Sequence, residues 1–256
     1  MPTQIGICLP NSHSSIVEYD LDTGKLVIGS PTGQVGVVIE GTQETPIVSK
    51  GTIITIESKQ YRVLKVAGTV AEVFAMYNAS TSQQFNATSK TTTFSDGTTG
   101  QQYQGSDLDT YLNETFYATL STTMQAAIVP KTISQDMFDY TTSVPGGTYY
   151  HGQSSDGSNY YVRAGYGTAT VGSRNVYALS VEDVLKYNNI EPTTGLLTAT
   201  QLWQMFWNAT TSKSEYPWLR SADASSSSNA WYVYGGIGIL YYNNYYNRNA
   251  VRPAFQ

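Results

Sequence analysis

The chain reads as an α+β protein: β-branched runs open it, helical patterns occupy its middle, and an alternating aromatic segment closes it. Near the start, residues 16–19, 25–28 and 35–39 are short β-branched runs, the first two joined through the turn Asp22-Thr23-Gly24. Residues 52–56 and 61–66 form a hairpin pattern around Ser58-Lys59, and residues 70–77 a further strand. Residues 41–50, which include Pro46, suit a linker. The expected division is therefore an N-terminal β-rich extension over 1–50 and a main domain over 51–256. Residues 78–104 are polar and rich in Thr and Ser, and read as a long loop.

The helical middle has clear start signals. Ser106 is placed to cap a helix whose first turn carries Asp107 and Asp109 near the positive end of the dipole. Leu108, Tyr111, Leu112, Thr115, Phe116 and Leu120 then fall on one helical stripe. A short helix over 122–128 stops before Pro130. Ser180-Val181-Glu182-Asp183 has the spacing of a capping box, opening a helix through Tyr187, and residues 198–207 form another helical pattern.

Composition removes several function classes. Charged residues are 13% of the chain against about 25% in average domains, and no Lys/Arg run exists to neutralise phosphates, which argues against nucleic acid. No apolar stretch approaches the ~20 residues of a membrane span, and the N-terminus lacks a signal-peptide pattern. The expectation is a soluble chain, or one that reaches a surface by another route. Cys8 is the single cysteine, and His13 and His151 the only histidines, so the inventory does not supply a zinc site. His151 lies in a Gly/Ser-rich stretch and reads as a solvated loop histidine. No cofactor is expected.

The closing segment is different. Residues 224–247 carry no charged side chain, yet Tyr232, Tyr234, Tyr241, Tyr242, Tyr245 and Tyr246 fall within it. In Trp231-Tyr232-Val233-Tyr234, alternation sends Trp231 and Val233 to one face and the tyrosines to the other. Gly235-Gly236-Ile237-Gly238 supplies a turn, and Ile239-Leu240 returns to apolar character. From Tyr241 to Asn247, tyrosine and asparagine are mixed on both faces. Burying either face would leave asparagine amides unpaired at about 1–3 kcal/mol each, so an ordinary core strand fits poorly. Exposed Tyr and Asn are also what antibody-type binding surfaces use.

Four motifs carry a family resemblance. Residues 106–116 (SDLDTYLNETF), residues 177–184 (YALSVEDV), Trp218-Leu219-Arg220-Ser221 and Val251-Arg252-Pro253-Ala254-Phe255 are similar, in this order, to the variable proteins of diversity-generating retroelements. These belong to the C-type-lectin superfamily that also holds the formylglycine-generating enzymes. The likeness spans about residues 51–256. Ala250 stands where the family usually has Gly, and Tyr103 where it often has Trp.

The resemblance implies a C-type-lectin-like α+β fold, with a mixed or antiparallel sheet, about two to four helices, and a variable region over about 218–256. It implies a receptor- or adhesin-type binding protein, whose codons are diversified at adenines by an error-prone reverse transcriptase. The implied variable, exposed positions are Tyr232, Tyr234, Gly235, Ile239, Tyr241, Tyr242, Asn243, Asn244, Tyr245, Tyr246 and Asn247. Trp231, Val233, Leu240, Val251 and Phe255 would be fixed scaffold and Arg252 a structural arginine. The implied partner is a protein or glycan on a cell or particle surface.

Two rivals are weaker. The formylglycine-generating activity uses paired cysteines, and only Cys8 is present. Calcium-dependent sugar lectins use Glu-Pro-Asn or Gln-Pro-Asp, whereas Glu191-Pro192-Thr193 lacks the third ligand and no acidic cluster accompanies it. A metal-independent carbohydrate-binding module remains the alternative. Asn78, Asn86, Asn113 and Asn208 each begin an N-x-Ser/Thr sequence, which a Thr/Ser-rich chain produces by chance.

Overall fold

The computed structural model describes the backbone of residues 4–8, 16–20, 25–29, 48–208 and 213–256, and the side chains of residues 48–208 and 215–256. The expected strand at 35–39, the turn at 22–24 and nearly all of the 41–50 linker lie outside the described residues. Two compact units are present, one ending at Tyr77 and the other running over Asn78–Phe255.

The first unit is antiparallel. Strands β1 (Gln4–Cys8), β2 (Ile16–Asp20), β3 (Lys25–Gly29), β4 (Ile53–Ile56), β5 (Lys59–Ala67) and β6 (Val70–Ala75) are arranged in the order β6-β5-β4-β1-β2-β3. The β4–β5 turn places Glu57 and Ser58 at φ 49° and 63°, the left-handed pair that a two-residue hairpin requires. Because β4 bonds to β1, with Thr55 opposite Gly6, residues 53–75 belong with the first unit. The sequence boundary near residue 50 therefore differs from the compact division after Tyr77.

The second unit is mixed α+β. Its strands are β7 (Ser80–Gln84), β8 (Thr91–Thr93), β9 (Thr99–Gln101), β10 (Lys131–Thr141), β11 (Tyr149–Gln153), β12 (Asn159–Arg163), β13 (Thr168–Arg174), β14 (Leu196–Thr198), β15 (Trp207–Asn208), β16 (Lys213–Ser214), β17 (Trp218–Asp223), β18 (Asn229–Tyr234), β19 (Ile239–Asn244), β20 (Arg248–Val251) and β21 (Ala254–Phe255). Among the described residues the main sheet runs β14-β11-β12-β10-β17-β18-β19, with β13 also on β10. The β10–β17 and β11–β14 pairs are parallel and the others antiparallel.

The helices follow their caps. Ser106 Oγ accepts from Asp109 N at 3.0 Å and opens a continuous helical run: α1 (Asp107–Thr110), a π-helical segment (Tyr111–Phe116) and α2 (Tyr117–Thr119). Helix α3 spans Thr122–Ala127. Ser180 and Asp183 form a complete capping box at α4 (Val181–Tyr187), and Thr198 with Gln201 form another at α5 (Ala199–Met205). Among the described residues no helix is long and apolar enough to cross a membrane.

Two expectations are corrected here. The polar stretch 78–104 holds β7, β8 and β9 rather than a long loop, and it buries Phe85, Asn86, Phe94, Gln101 and Tyr103. Buried amides are tolerated because they are paired: Asn86 Nδ2 donates to Gln101 Oε1 at 3.1 Å, and Gln135 Nε2 donates to Gln101 O at 2.7 Å. His151 is not in a loop. It sits on β11, with its ring stacked at 5.0 Å and 19° on Tyr161 of β12.

Candidate functional site: the closing hairpin and its platform

The platform is strand β17, whose Trp218–Asp223 residues are all buried. A buried strand must satisfy its polar side chains internally, and those here tie in the neighbouring elements. Trp218 Nε1 donates to Gln83 O at 2.8 Å, joining β7. Arg220 donates to Ser134 O and Ala178 O, each at 2.8 Å, and to Asp183 Oδ2 at 2.6 Å, joining β10 and α4. Ser221 Oγ accepts from Val181 N at 2.8 Å and donates to Asp136. Burial pushes the Asp136 carboxyl up. Burial also opposes ionisation of Asp183, but Arg220 and the Ser180 backbone outweigh it and hold that carboxyl low.

The other motifs lock onto the same platform. Tyr177 and Ala254 exchange two backbone bonds, 2.9 and 2.8 Å, joining the YALSVEDV and VRPAF motifs. Asn113 brackets Val176 with bonds to its O (2.9 Å) and from its N (3.3 Å). Arg174 clamps Asp109 through Nε (2.8 Å) and Nη2 (2.7 Å). Tyr103 is fully buried, its hydroxyl accepting from Ala178 N at 3.1 Å. Arg252 is also buried and donates to Asn78 Oδ1 and Trp207 O, each at 3.1 Å.

On this platform β18 and β19 form the closing hairpin. Its register pairs Trp231 with Tyr242, Tyr232 with Tyr241, Val233 with Leu240 and Tyr234 with Ile239. Trp231, Val233, Leu240, Val251 and Phe255 are buried. The turn is anchored at both ends. Trp203 Nε1 donates to Gly235 O at 2.8 Å, and Ser155 N donates to Ile237 O at 3.0 Å.

The eleven tail positions divide by exposure. Tyr246 and Asn247 are exposed, while Tyr234, Tyr241, Tyr242, Asn243, Asn244 and Tyr245 are half-buried. Tyr232, Gly235 and Ile239 are buried, which corrects their expected exposure. Tyr232 lies opposite Trp218 in the register and is enclosed by Trp218, Tyr234 and Tyr241 rings. Gly235 and Ile239 flank a turn that lies under α5, where a Cβ on Gly238 would fall 2.5 Å from Ala199 Cβ. The segment is also more regular than expected, since β19 continues through Asn244 before the chain turns.

The tyrosines touch one another in a continuous run. Centroid separations are 5.4 Å for Tyr216–Tyr234, 6.1 Å for Tyr234–Tyr232, 6.4 Å for Tyr232–Tyr241 and 4.5 Å for the stacked Tyr241–Tyr242 pair. Tyr140 on β10 closes against Tyr241 at 4.7 Å and Tyr242 at 6.1 Å. The hydrogen bond with Tyr241, aided by burial, pushes the Tyr242 hydroxyl up to about 12. No local pattern marks Tyr140 or Tyr216: β10 brings the first to the hairpin, and the segment leading into β17 brings the second.

The asparagines are linked as well. Asn243 Oδ1 accepts from Asn244 N at 2.9 Å and Asn247 Nδ2 at 2.6 Å, and Asn243 Nδ2 reaches Asn249 Oδ1 at 3.5 Å. Two of the N-x-Ser/Thr asparagines, Asn86 and Asn208, are buried, which bars modification in the folded chain. Among the described residues no group of three His, Cys, Asp or Glu could hold a metal ion. A polar cleft of about 500 Å³ lies elsewhere, lined by Asp109, Asn113, Glu114 and Arg174 among others. Its Asp109–Arg174 pair is committed to the clamp described above, so the hairpin is the stronger candidate.

Comparison with known proteins places the chain in a family. No curated protein and no solved structure matches it. A family model described as a domain of unknown function (DUF6273) matches residues 81–256, which span β7 onward and contain the platform and the hairpin. The chain belongs to the DUF6273 family.

Proposed function

We propose that the chain is a non-enzymatic, ligand-binding protein of receptor or adhesin type, built on a C-type-lectin-like scaffold. Its binding surface is the closing hairpin, diversified as in the variable proteins of diversity-generating retroelements. One observation carries the reading. The hairpin joins sealed residues (Trp231, Val233, Leu240) to solvent-reaching tyrosines and asparagines (Tyr234, Tyr241 to Asn247), so the second set can change without loss of the core. Tyrosine suits such a surface, offering large contact area with few rotatable bonds, and asparagine adds adaptable hydrogen bonding.

The motifs support the division of labour, because their polar groups are spent inside the scaffold: Arg220 on Asp183 and Ala178, Ser221 on Val181, Tyr177 on Ala254, Asn113 on Val176 and Arg252 on Asn78. The partner in this reading is a protein or glycan on a cell or particle surface. The direct test is genomic. A near-identical copy of the codons for residues 218–256 should lie beside a reverse-transcriptase gene, differing from this gene at adenines of the copy. A locus with no such copy, or with differences spread over all four bases, would remove the diversification mechanism.

A further inference from the structure

The hairpin face that carries Tyr232 and Tyr234 has a chemistry that narrows the ligand. Cross-strand pairing puts Tyr234, Tyr232, Tyr241 and Asn243 on one side of the β18–β19 ribbon. Tyr216 extends the row past Tyr234 and is 39% exposed. Tyr216 is held in place on two sides: its ring meets Tyr234 at 51°, and its hydroxyl lies 3.0 Å from where a Cβ on Gly236 would sit. Any larger residue at 236 would press on this ring.

At the other end of the row is an amide cluster. Ala250 N donates to Tyr216 O at 3.2 Å, so the strand carrying Asn249 runs beside the row. Asn249 is 8% exposed, and its Nδ2 has no hydrogen-bond partner although Asn243 reaches its Oδ1 at 3.5 Å. A buried amide donor left unsatisfied is costly, and an oxygen-bearing ligand that moves half-exposed Asn243 aside would relieve that cost. No charged side chain occurs from 224 to 247 to meet an ionic ligand. The charged neighbours of the row among the described residues are engaged elsewhere, Glu215 with Asn208 Nδ2 at 3.5 Å and Arg248 with Ser82 O at 3.1 Å, whereas a protein partner would present charges at about a quarter of its residues, arginine commonly among its anchors.

Resting on the binding role proposed above, we infer that this face takes a short neutral oligosaccharide: pyranose rings lie on Tyr216 and Tyr234, and their hydroxyl or acetamido oxygens accept from Asn249 and Asn243. Stacking uses the apolar face of a sugar ring against an aromatic ring, and the surrounding hydroxyls and amides match the sugar's uncharged edge. From Tyr234 to the level of Asn243 is four residues of strand, roughly 13 Å, the length of about two to three sugar rings.

The test is an amide NMR titration of the full chain with di- to tetrasaccharides of glucose, mannose, galactose and N-acetylglucosamine. Sialylated and sulfated sugars and a proline-rich peptide form the comparison arms. A neutral sugar is expected to shift the Gly236 backbone amide and the Asn249 side-chain amide saturably, more tightly as a trisaccharide than as a monosaccharide. Tyr216→Ala and Asn249→Leu should each weaken it about tenfold, and Tyr216→Phe should retain it. Silence of both probes toward every neutral sugar overturns the assignment, as does a response only to charged sugars. Binding of the peptide in place of sugar would overturn the glycan and leave the display surface standing. Target binding that survives loss of Tyr234, Tyr245 and Tyr246 would instead count against the display surface itself.

Discussion

Trp231 and Tyr242 are cross-strand partners in the closing hairpin, yet Trp231 is sealed in the core while Tyr242 is half-buried. The face therefore passes from interior to surface within two rungs. Trp231 packs edge-on against Phe138 at 6.4 Å and donates Nε1 to Phe138 O at 3.3 Å, whereas Tyr242 lies on Tyr241 and Tyr140 near the sheet edge. Trp231→Ala should cost about 3–5 kcal/mol of folding stability, and Tyr242→Ala about 1 kcal/mol or less. Urea unfolding of the two variants measures the contrast, and equal losses would contradict it.

Arg220 anchors the platform beneath. Its replacement by Ala leaves half-buried Asp183 and buried Asp136 without the neutralising guanidinium. Breaking one side of a buried pair costs about 3–5 kcal/mol, so Arg220→Ala should unfold at markedly lower urea. Arg220→Met with Asp183→Leu should recover part of the loss, because no buried charge is then stranded by that pair.

The two carboxylates beside Arg220 give opposite pH slopes. Asp183 is held low in the folded chain, so it adds stability above the ordinary carboxylate range, lost as pH falls through its depressed value. Asp136 is pushed up, so the folded chain holds that proton more firmly and stability falls as pH rises from the ordinary to the raised value. Unfolding free energies across pH should therefore show an acid-side loss that disappears in Asp183→Asn. Asp136→Asn should abolish the decline on the higher-pH side; a variant with the parent's profile would contradict the assignment.

Gly238 sets the hairpin turn at φ 67°, and an added Cβ would fall 2.5 Å from Ala199 Cβ. Gly238→Ala combines left-handed strain of about 1–2 kcal/mol with a displaced α5, so it should lower Tm by several degrees. Gly97→Ala shares the positive φ but meets nothing within 4 Å, and should cost less.

Legibility in the sequence followed the strength of local chemistry. Ser106, Ser180 and Thr198 mark helix starts because their hydroxyls satisfy backbone donors three residues on. Alternation in Trp231-Tyr232-Val233-Tyr234 correctly separated the core pair from the tyrosines. It could not show that Tyr232 would be covered, because Trp218 and Tyr241 arrive from other strands. Thr/Ser-rich strands β7 to β9 were illegible because their partners supply the reason to be extended: β20 pairs with β7 from 164 to 171 residues away along the chain, and β8 pairs with β9. The π-helical segment likewise has no sequence mark.

The central claim is that the tyrosine- and asparagine-rich tail is a surface carried by a rigid platform. Its most direct measurement is the triple replacement of Tyr234, Tyr245 and Tyr246 by Ala, read by ligand titration and thermal melting together. The account predicts that binding is lost while Tm falls by only a few degrees, the scale of surface substitutions. Intact binding, or collapse of the fold, would contradict it.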